Sequence, residues 1–243
     1  MPRKPVFLCL AFLGFAVWAK PIEWWEEKPS AQWSLAQTMD FLENSPWVGK
    51  SDGYFRQNPL AIINYQARLI TAKPVREAFL RLNVLAAKVV SIREINVATA
   101  AEESQKRMQN LVASYPNDLL IKGDEEHLII AVSFRILSLG IFGVKSSRED
   151  FADDELLNVD KSKLVRNTSL GTNTGKRVAL ETYRPPERKL AGATYYFPRN
   201  LPDGSSLISS GDKDLRFETV INKRQVRVKF DLSKMTYNGK LEI

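Results

Sequence analysis

The chain holds one cysteine, Cys9, and one histidine, His127. Cys9 falls in an N-terminal segment expected to be removed, which leaves no thiol. That excludes a disulfide, a cysteine-ligated metal and a cysteine nucleophile. A lone imidazole has no second one with which to share a metal. As a general base it needs a nucleophile and an orienting carboxylate beside it. Glu125 and Glu126 adjoin His127, but adjacency in a turn does not build such a group, so a structural or solvent-exposed histidine is expected. Long apolar runs are also missing. Leu128 to Phe134 and Leu137 to Val144 are strand-sized, far short of the roughly 18–20 residues that span a bilayer. No Gly-x-Ser-x-Gly elbow, His-Glu-x-x-His pair, phosphate loop or dinucleotide fingerprint is present. The expectation is no catalytic residue, no cofactor and no metal.

What is there begins at the N-terminus. Met1-Pro-Arg-Lys-Pro5 is basic, Val6 to Trp18 is apolar, and Val17-Trp18-Ala19 puts small residues where a signal peptidase reads them. Residues 1–19 read as a secretory signal with cleavage before Lys20. An uncleaved anchor is the competing reading, but the run is too short to span. Cys9 sits inside the run behind Phe7-Leu8, away from the junction that lipidation requires. The protein is therefore expected to be exported, periplasmic or secreted. It must fold on core burial alone, and more than two hundred residues suffice for that.

The formal charge is +7, of which Arg3 and Lys4 leave with the signal. The remaining basic residues are interleaved with acids. Nucleic acid is therefore not an expected partner, whereas weak attraction to an envelope protein or an anionic surface polymer is.

Residues 20–144 read as an α+β region. Trp24, Trp25, Trp33 and Trp47 crowd its start. Tryptophans this dense either pack an arm onto a core or form a sugar-stacking or partner-binding platform. Ser34-Leu-Ala-Gln37 has the form of a capping box. Leu35, Met39 and Leu42 follow at helical spacing, with Thr38 and Phe41 flanking, up to Pro46. Ile63, Tyr65, Ala67 and Leu69 alternate with Asn64, Gln66 and Arg68, predicting a strand with one wet face. Pro74 opens a helix carrying Val75, Phe79, Leu82, Leu85, Ala86 and Val89, with Glu77 and Arg81 spaced to pair. Thr99 to Glu102 is a second capping box, and Pro116 ends that helix. Leu128 to Phe134 is apolar on both faces and should be a central strand.

Residues 145–161 are acidic, with Asp150, Asp153, Asp154 and Glu155, and read as a linker or surface loop. They lack the spacing of a calcium loop. Residues 162–243 read as an antiparallel β domain. Leu164–Leu170 pairs with Arg177–Tyr183 across a glycine-bracketed turn. Leu215–Ile221 pairs with Val226–Phe230, and Asn238-Gly239 forms a type I′ turn. Lys223, Arg224, Arg227 and Lys229 make this last pair the densest basic feature. They are either an edge-protecting charged face or a docking surface. The candidate partner surface is Trp24 and Trp25 together with these four basic residues.

Three stretches carry a family resemblance. They are Asn44-Ser-Pro-Trp47, Tyr65-Gln-Ala-Arg-Leu-Ile-Thr-Ala-Lys-Pro-Val-Arg-Glu-Ala-Phe79, and Val228-Lys-Phe-Asp-Leu-Ser-Lys-Met235 running into Tyr237-Asn-Gly-Lys-Leu-Glu242, with Phe197-Pro-Arg199 between. The chain resembles an uncharacterised family of exported acidobacterial proteins. That family is distantly similar to bacterial proteins with a GWxTD-type domain, whose Gly-Trp-x-Thr-Asp motif is absent here. The resemblance implies an exported bacterial protein and carries over no catalytic residue.

The expected fold class is thus α+β: N-terminal helices packed on a short sheet, then an antiparallel β domain for which a sandwich is one form. The expected role is binding, scaffolding or envelope association. The alternatives are a carboxylate-dependent hydrolase acting on envelope material and a carrier of a small ligand or lipid.

Overall fold

The computed structural model describes residues 23–55, 58–92, 115–140, 143–146, 159–186, 192–221 and 223–243. The signal segment, the helix expected after Thr99 and the acids at 150–155 lie outside them. The fold is α+β, with its helices mostly N-terminal and its C-terminal part dominated by strands.

Helix α1 (Leu35–Asn44) starts where the capping box predicts. Gln37 N–H donates to Ser34 Oγ, and the Ser34 N–H donates to Gln37 Oε1. Its buried residues are Thr38, Phe41 and Leu42, while Leu35 and Met39 are only half-buried. The helix is therefore rotated from the stripe expected in the sequence. Thr38 can turn inward because its hydroxyl donates back to the Ser34 carbonyl at 2.8 Å.

Strands β1 (Val48–Phe55) and β2 (Asn58–Leu69) form an antiparallel pair. Helix α2 (Lys73–Ile92) follows, one residue ahead of Pro74. Val75, Ala78, Phe79, Leu82 and Ala86 are buried along it. Helix α3 (Asn117–Lys122) leads into β3 (His127–Gly140), which also pairs with β4 (Gly143–Ser146). Where the sequence predicts a strand from Leu164, helix α4 (Lys161–Arg166) stands instead. The Asp160 carboxylate accepts from the Ser162 and Lys163 N–H groups, which starts a turn and rotates Leu164 into the core.

Next come β5 (Ser169–Thr172), β6 (Arg177–Ala179), β7 (Thr182–Arg184) and β8 (Ala193–Pro198). The chain ends with β9 (Asp214–Ile221), β10 (Arg224–Asp231), β11 (Thr236–Tyr237) and β12 (Lys240–Leu241). Asn238 and Gly239 have φ of 52° and 73°, the left-handed pair that a type I′ turn needs.

Sheet order departs from chain order. β7 and β8 join the N-terminal strands as β1-β2-β3-β8-β7, while β10-β9-β5-β6 form a second sheet. β3 is central in the first sheet, and its residues Leu128 to Val132 are all buried. Tyr65, Ala67 and Leu69 on β2 share a face with Ile130 and Val132 on β3 and with Tyr195 and Phe197 on β8. That face meets the second sheet, where the Phe217 ring lies edge-on to Tyr195 and Phe197 at 5.2 and 6.0 Å. β1 passes close to β10 at Gly49, where an added methyl group would overlap the buried Val228 side chain.

The opposite face of β2 is the main departure from the sequence reading. Gln66 and Arg68 were expected on a wet face and are instead 5% and 1% exposed. The Arg68 guanidinium donates to the Leu42 carbonyl at 2.6 Å, to Gln66 Oε1 at 2.6 Å and to Ser133 Oγ at 2.9 Å. Leu42 lies in the last turn of α1, where carbonyls lack helical partners and favour a cation. A stem of three methylenes lets Arg68 sit in an apolar layer while its head is hydrogen-bonded. Nearby Tyr115 packs edge-on to Phe79 at 4.9 Å. Burial pushes its phenol up to about 12, with the Arg68 charge pulling the other way.

Replacing Arg68 with alanine strands these acceptors and opens a cavity. A loss of about 3–5 kcal/mol in urea unfolding is expected, and a change below about 0.5 kcal/mol, ordinary for a surface site, would refute the anchoring role. Gly49→Ala should cost roughly 1–3 kcal/mol by overpacking. Adding Val228→Ala should recover part of that loss, a coupling read from a double-mutant cycle.

Candidate functional site

The N-terminal arm carries tryptophans that have few good places except against other rings. Trp25 lies edge-on to Phe41 and Trp47 at 5.6 and 6.4 Å, and Trp24 meets Trp33 at 5.4 Å. Trp25, Trp33 and Trp47 are buried, and Trp24 is half-buried. Main-chain contacts fix the arm. Trp33 Nε1 donates to the Lys28 carbonyl at 3.1 Å, and Arg81 Nε donates to the Trp33 carbonyl at 2.8 Å. Arg81 thus serves the arm, in place of the Glu77 pairing that the helical spacing predicted.

Glu77 faces the other way. Its Oε2 accepts from Ser30 Oγ at 3.0 Å and from Tyr237 Oη at 2.8 Å, and Lys73 Nζ stands 3.9 Å from Oε1. One carboxylate therefore ties together the arm, the first turns of α2 and the β11–β12 hairpin. Between these three lies a cleft of about 360 Å³, walled by Trp25, Glu26, Lys28, Pro29, Glu77 and Tyr237. Lys28 Nζ is held by Gln37 Oε1 at 2.9 Å. Burial, the Glu77 hydrogen bond and the charges of Glu77, Glu242 and Glu26 push the Tyr237 phenol well above its usual value, so it stays protonated and donates. Two neighbouring buried atoms, Trp25 Nε1 and Glu26 Oε1, have no hydrogen-bond partner among the described residues.

The sequence reading missed Glu77 and Tyr237 because nothing local marks them. They lie 160 residues apart and meet only in the fold. Of the two tryptophans on the expected partner surface, Trp24 is half-buried against the core and the Trp25 ring lies mainly in it, with Trp25 also lining the cleft.

The basic residues lie elsewhere. Arg227 and Lys229 point outward from β10. Arg227 Nε is 3.7 Å from Glu218 Oε1, and Lys229 Nζ is 3.1 Å from Asp214 Oδ2. Arg177 also pairs with Glu218, and Arg216 with Asp214. Lys223 is exposed at a turn position with φ of 64°, and Arg224 is half-buried. This face alternates charge of both signs.

His127 is half-buried at the start of β3 with a carboxylate at each ring nitrogen. Nδ1 lies 3.1 Å from Asp124 Oδ1, and Nε2 lies 3.4 Å from Glu181 Oε1. Arg199 closes the back of this turn, donating to the Asp124, His127 and Ile243 carbonyl oxygens. With both nitrogens turned to acids, the imidazole has no face left for activating a nucleophile. Among the described residues, no group of three or more histidine, cysteine, aspartate or glutamate side chains is placed to hold a metal.

Burial opposes the His127 charge. The hydrogen bonds to Asp124 and Glu181 and their charges outweigh it, and the pKa rises above 6.5. A folded-state pKa above the unfolded value stabilises the fold fully below about pH 6.5 and ceases to do so as pH rises through the folded pKa. The stability gap between the wild type and His127→Gln should therefore be larger at pH 5.5 than at pH 8.5 in matched urea titrations. A gap that is constant or grows with pH would sink this assignment.

Comparison with protein-family models, curated proteins and solved structures finds no match to the chain.

Proposed function

We propose that the chain is an exported binding protein and that the cleft beneath its N-terminal arm is the ligand site. The carrying observation is the construction of the cleft. Three segments remote in sequence are fastened by Glu77 around a space lined with aromatic and carboxylate groups. Its volume lies at the small end of the range for ligand pockets. Export rests on the basic, then apolar, then small-residue pattern of residues 1–19.

Binding is favoured over hydrolysis on chemical grounds. A carboxylate hydrolase needs one acid free to give a proton and another free to attack or to activate water. Glu77 Oε2 is already filled by two hydroxyl hydrogens, and His127 has both nitrogens engaged. The β10 face is the weaker docking choice, because Glu218 and Asp214 offset its cations and leave an anionic polymer little net attraction.

The test is a titration of the purified chain with four compound classes: alkylamines, carboxylates, neutral sugars and fatty acids. Tryptophan fluorescence and calorimetry give the readout. At least one class should bind, and Ala31→Trp, which fills the exposed mouth of the cleft, should weaken that binding by about tenfold, the equivalent of roughly 1.4 kcal/mol. If no class binds, or if Ala31→Trp leaves binding unchanged, the reading is wrong.

A further inference from the structure

We infer that His127 is a proton-operated latch on the crossing between the two sheets: charged, it holds the β6–β7 link and edge strand β7 in place, and neutral, it lets them loosen. The inference is independent of the cleft.

The crossing has few fastenings of its own. Among the described strands, β6 ends the second sheet and β7 ends the first, so each is paired on one side. Each is three residues long. Leu180-Glu181 joins them. The main-chain ties of this link are Leu180 N–H to the Thr168 carbonyl at 3.4 Å and Glu181 N–H to the Tyr196 carbonyl at 2.9 Å. β7 pairs with β8 from Thr182 opposite Tyr196 to Arg184 opposite Thr194. Side chains add to this at both ends of β7. The Arg184 guanidinium lies over the Tyr196 ring at 4.8 Å, and the His127 ring meets the same ring edge-on at 5.9 Å. Glu181 Oε1 stands 3.4 Å from His127 Nε2, which ties the link to the start of β3.

The imidazole makes that last tie conditional. Charged, the ring donates from both nitrogens, to Asp124 at Nδ1 and to Glu181 at Nε2. Neutral, it has one N–H and cannot serve both acids. Asp124 keeps that proton, because its carboxylate is already fixed by the Glu126 and His127 N–H groups at 3.0 and 2.7 Å. The Nε2 lone pair then faces the Glu181 carboxylate, whose side chain is 55% exposed and free to turn to water. The other charged groups about this turn are Glu125 and Glu126 on its own segment, Arg199 after β8, Arg184 on β7, Arg76 on α2 and Glu242 near the C-terminus. Carboxylates and guanidinium groups do not ordinarily change charge between pH 5.5 and 8.5, whereas imidazole does. The His127 pKa is raised above 6.5, so the latch is closed below that pH and opens as pH rises through the folded value.

The test is backbone hydrogen exchange of the purified chain, resolved by residue with NMR between pH 5.5 and 8.5. Rates are expressed as protection factors, which divides out the intrinsic pH dependence of exchange. Protection at Leu180, Glu181 and β7 should fall about two- to fivefold more than at β9 and β10, the scale of one partly exposed ion pair. The fall should follow the titration of the His127 ring signals in the same sample. Glu181→Gln should abolish it, because a carboxamide accepts from the charged ring and donates to the neutral one. His127→Gln should make protection at the link independent of pH. No fall at the link, or a fall spread evenly over both sheets, overturns the latch. So does a fall that persists in Glu181→Gln or that departs from the His127 titration.

Discussion

A guanidinium buried under a helix end sets the arrangement of everything around it. Arg68 cannot leave its charge in an apolar layer without acceptors, and the acceptors it finds are the last-turn carbonyl at Leu42, its strand neighbour Gln66 and Ser133 on the next strand. That fixes α1 over the first sheet at one position. The position of α1 presents Phe41, and Phe41 with Trp47 makes the surface on which the ring of Trp25 is seated. The Trp47 indole N–H in turn donates to the Glu242 carbonyl at 2.6 Å, which brings the C-terminal segment to the same place. Helix, arm and C-terminus thus converge through one chain of contacts, and the cleft is the space left among them.

The two sheets share a core without dividing the chain between them in sequence order. β8 enters the first sheet beside β3, where Leu128, Ile130 and Val132 lie opposite Phe197, Tyr195 and Ala193. The aromatic side chains of β8 then reach Phe217 on β9. Gly49 lets β1 come close enough to β10 for Val228 to pack down on it. Packing at native density makes such contacts mutually dependent. Trp25 and Trp33 pack the arm onto this core, Tyr237 does the same for the β11–β12 hairpin, and Glu77 ties arm and hairpin together.

The ionisable groups divide by surroundings. Acids on both sides of His127 favour its charged form against the cost of burial, and the cations of the β10 face are matched by Glu218 and Asp214. Those arrangements are internally satisfied and ask for nothing from outside. Beside the cleft, Trp25 Nε1 and Glu26 Oε1 are buried without a hydrogen-bond partner among the described residues, as are Ser45 Oγ and Thr71 Oγ1 elsewhere in the fold.

Local rules determined much of the fold. The Ser34–Gln37 capping box, the long helix at Pro74, the doubly apolar strand after His127 and the Asn238-Gly239 turn were legible because each depends on neighbours in sequence. Asp160 was legible in principle as an N-cap, but the alternating apolar residues after it read as a strand. The tertiary structure decided the rest. An alternating strand shows which residues share a face and leaves open which face is covered, so the burial of Gln66 and Arg68 emerges only when α1 packs over them. Glu77 reads as one half of a helical ion pair until the arm and the C-terminal hairpin arrive to claim it. Sequence spacing carries period and capping over a few residues, whereas a cleft walled by positions 25, 77 and 237 depends on long-range packing, for which no local signal exists.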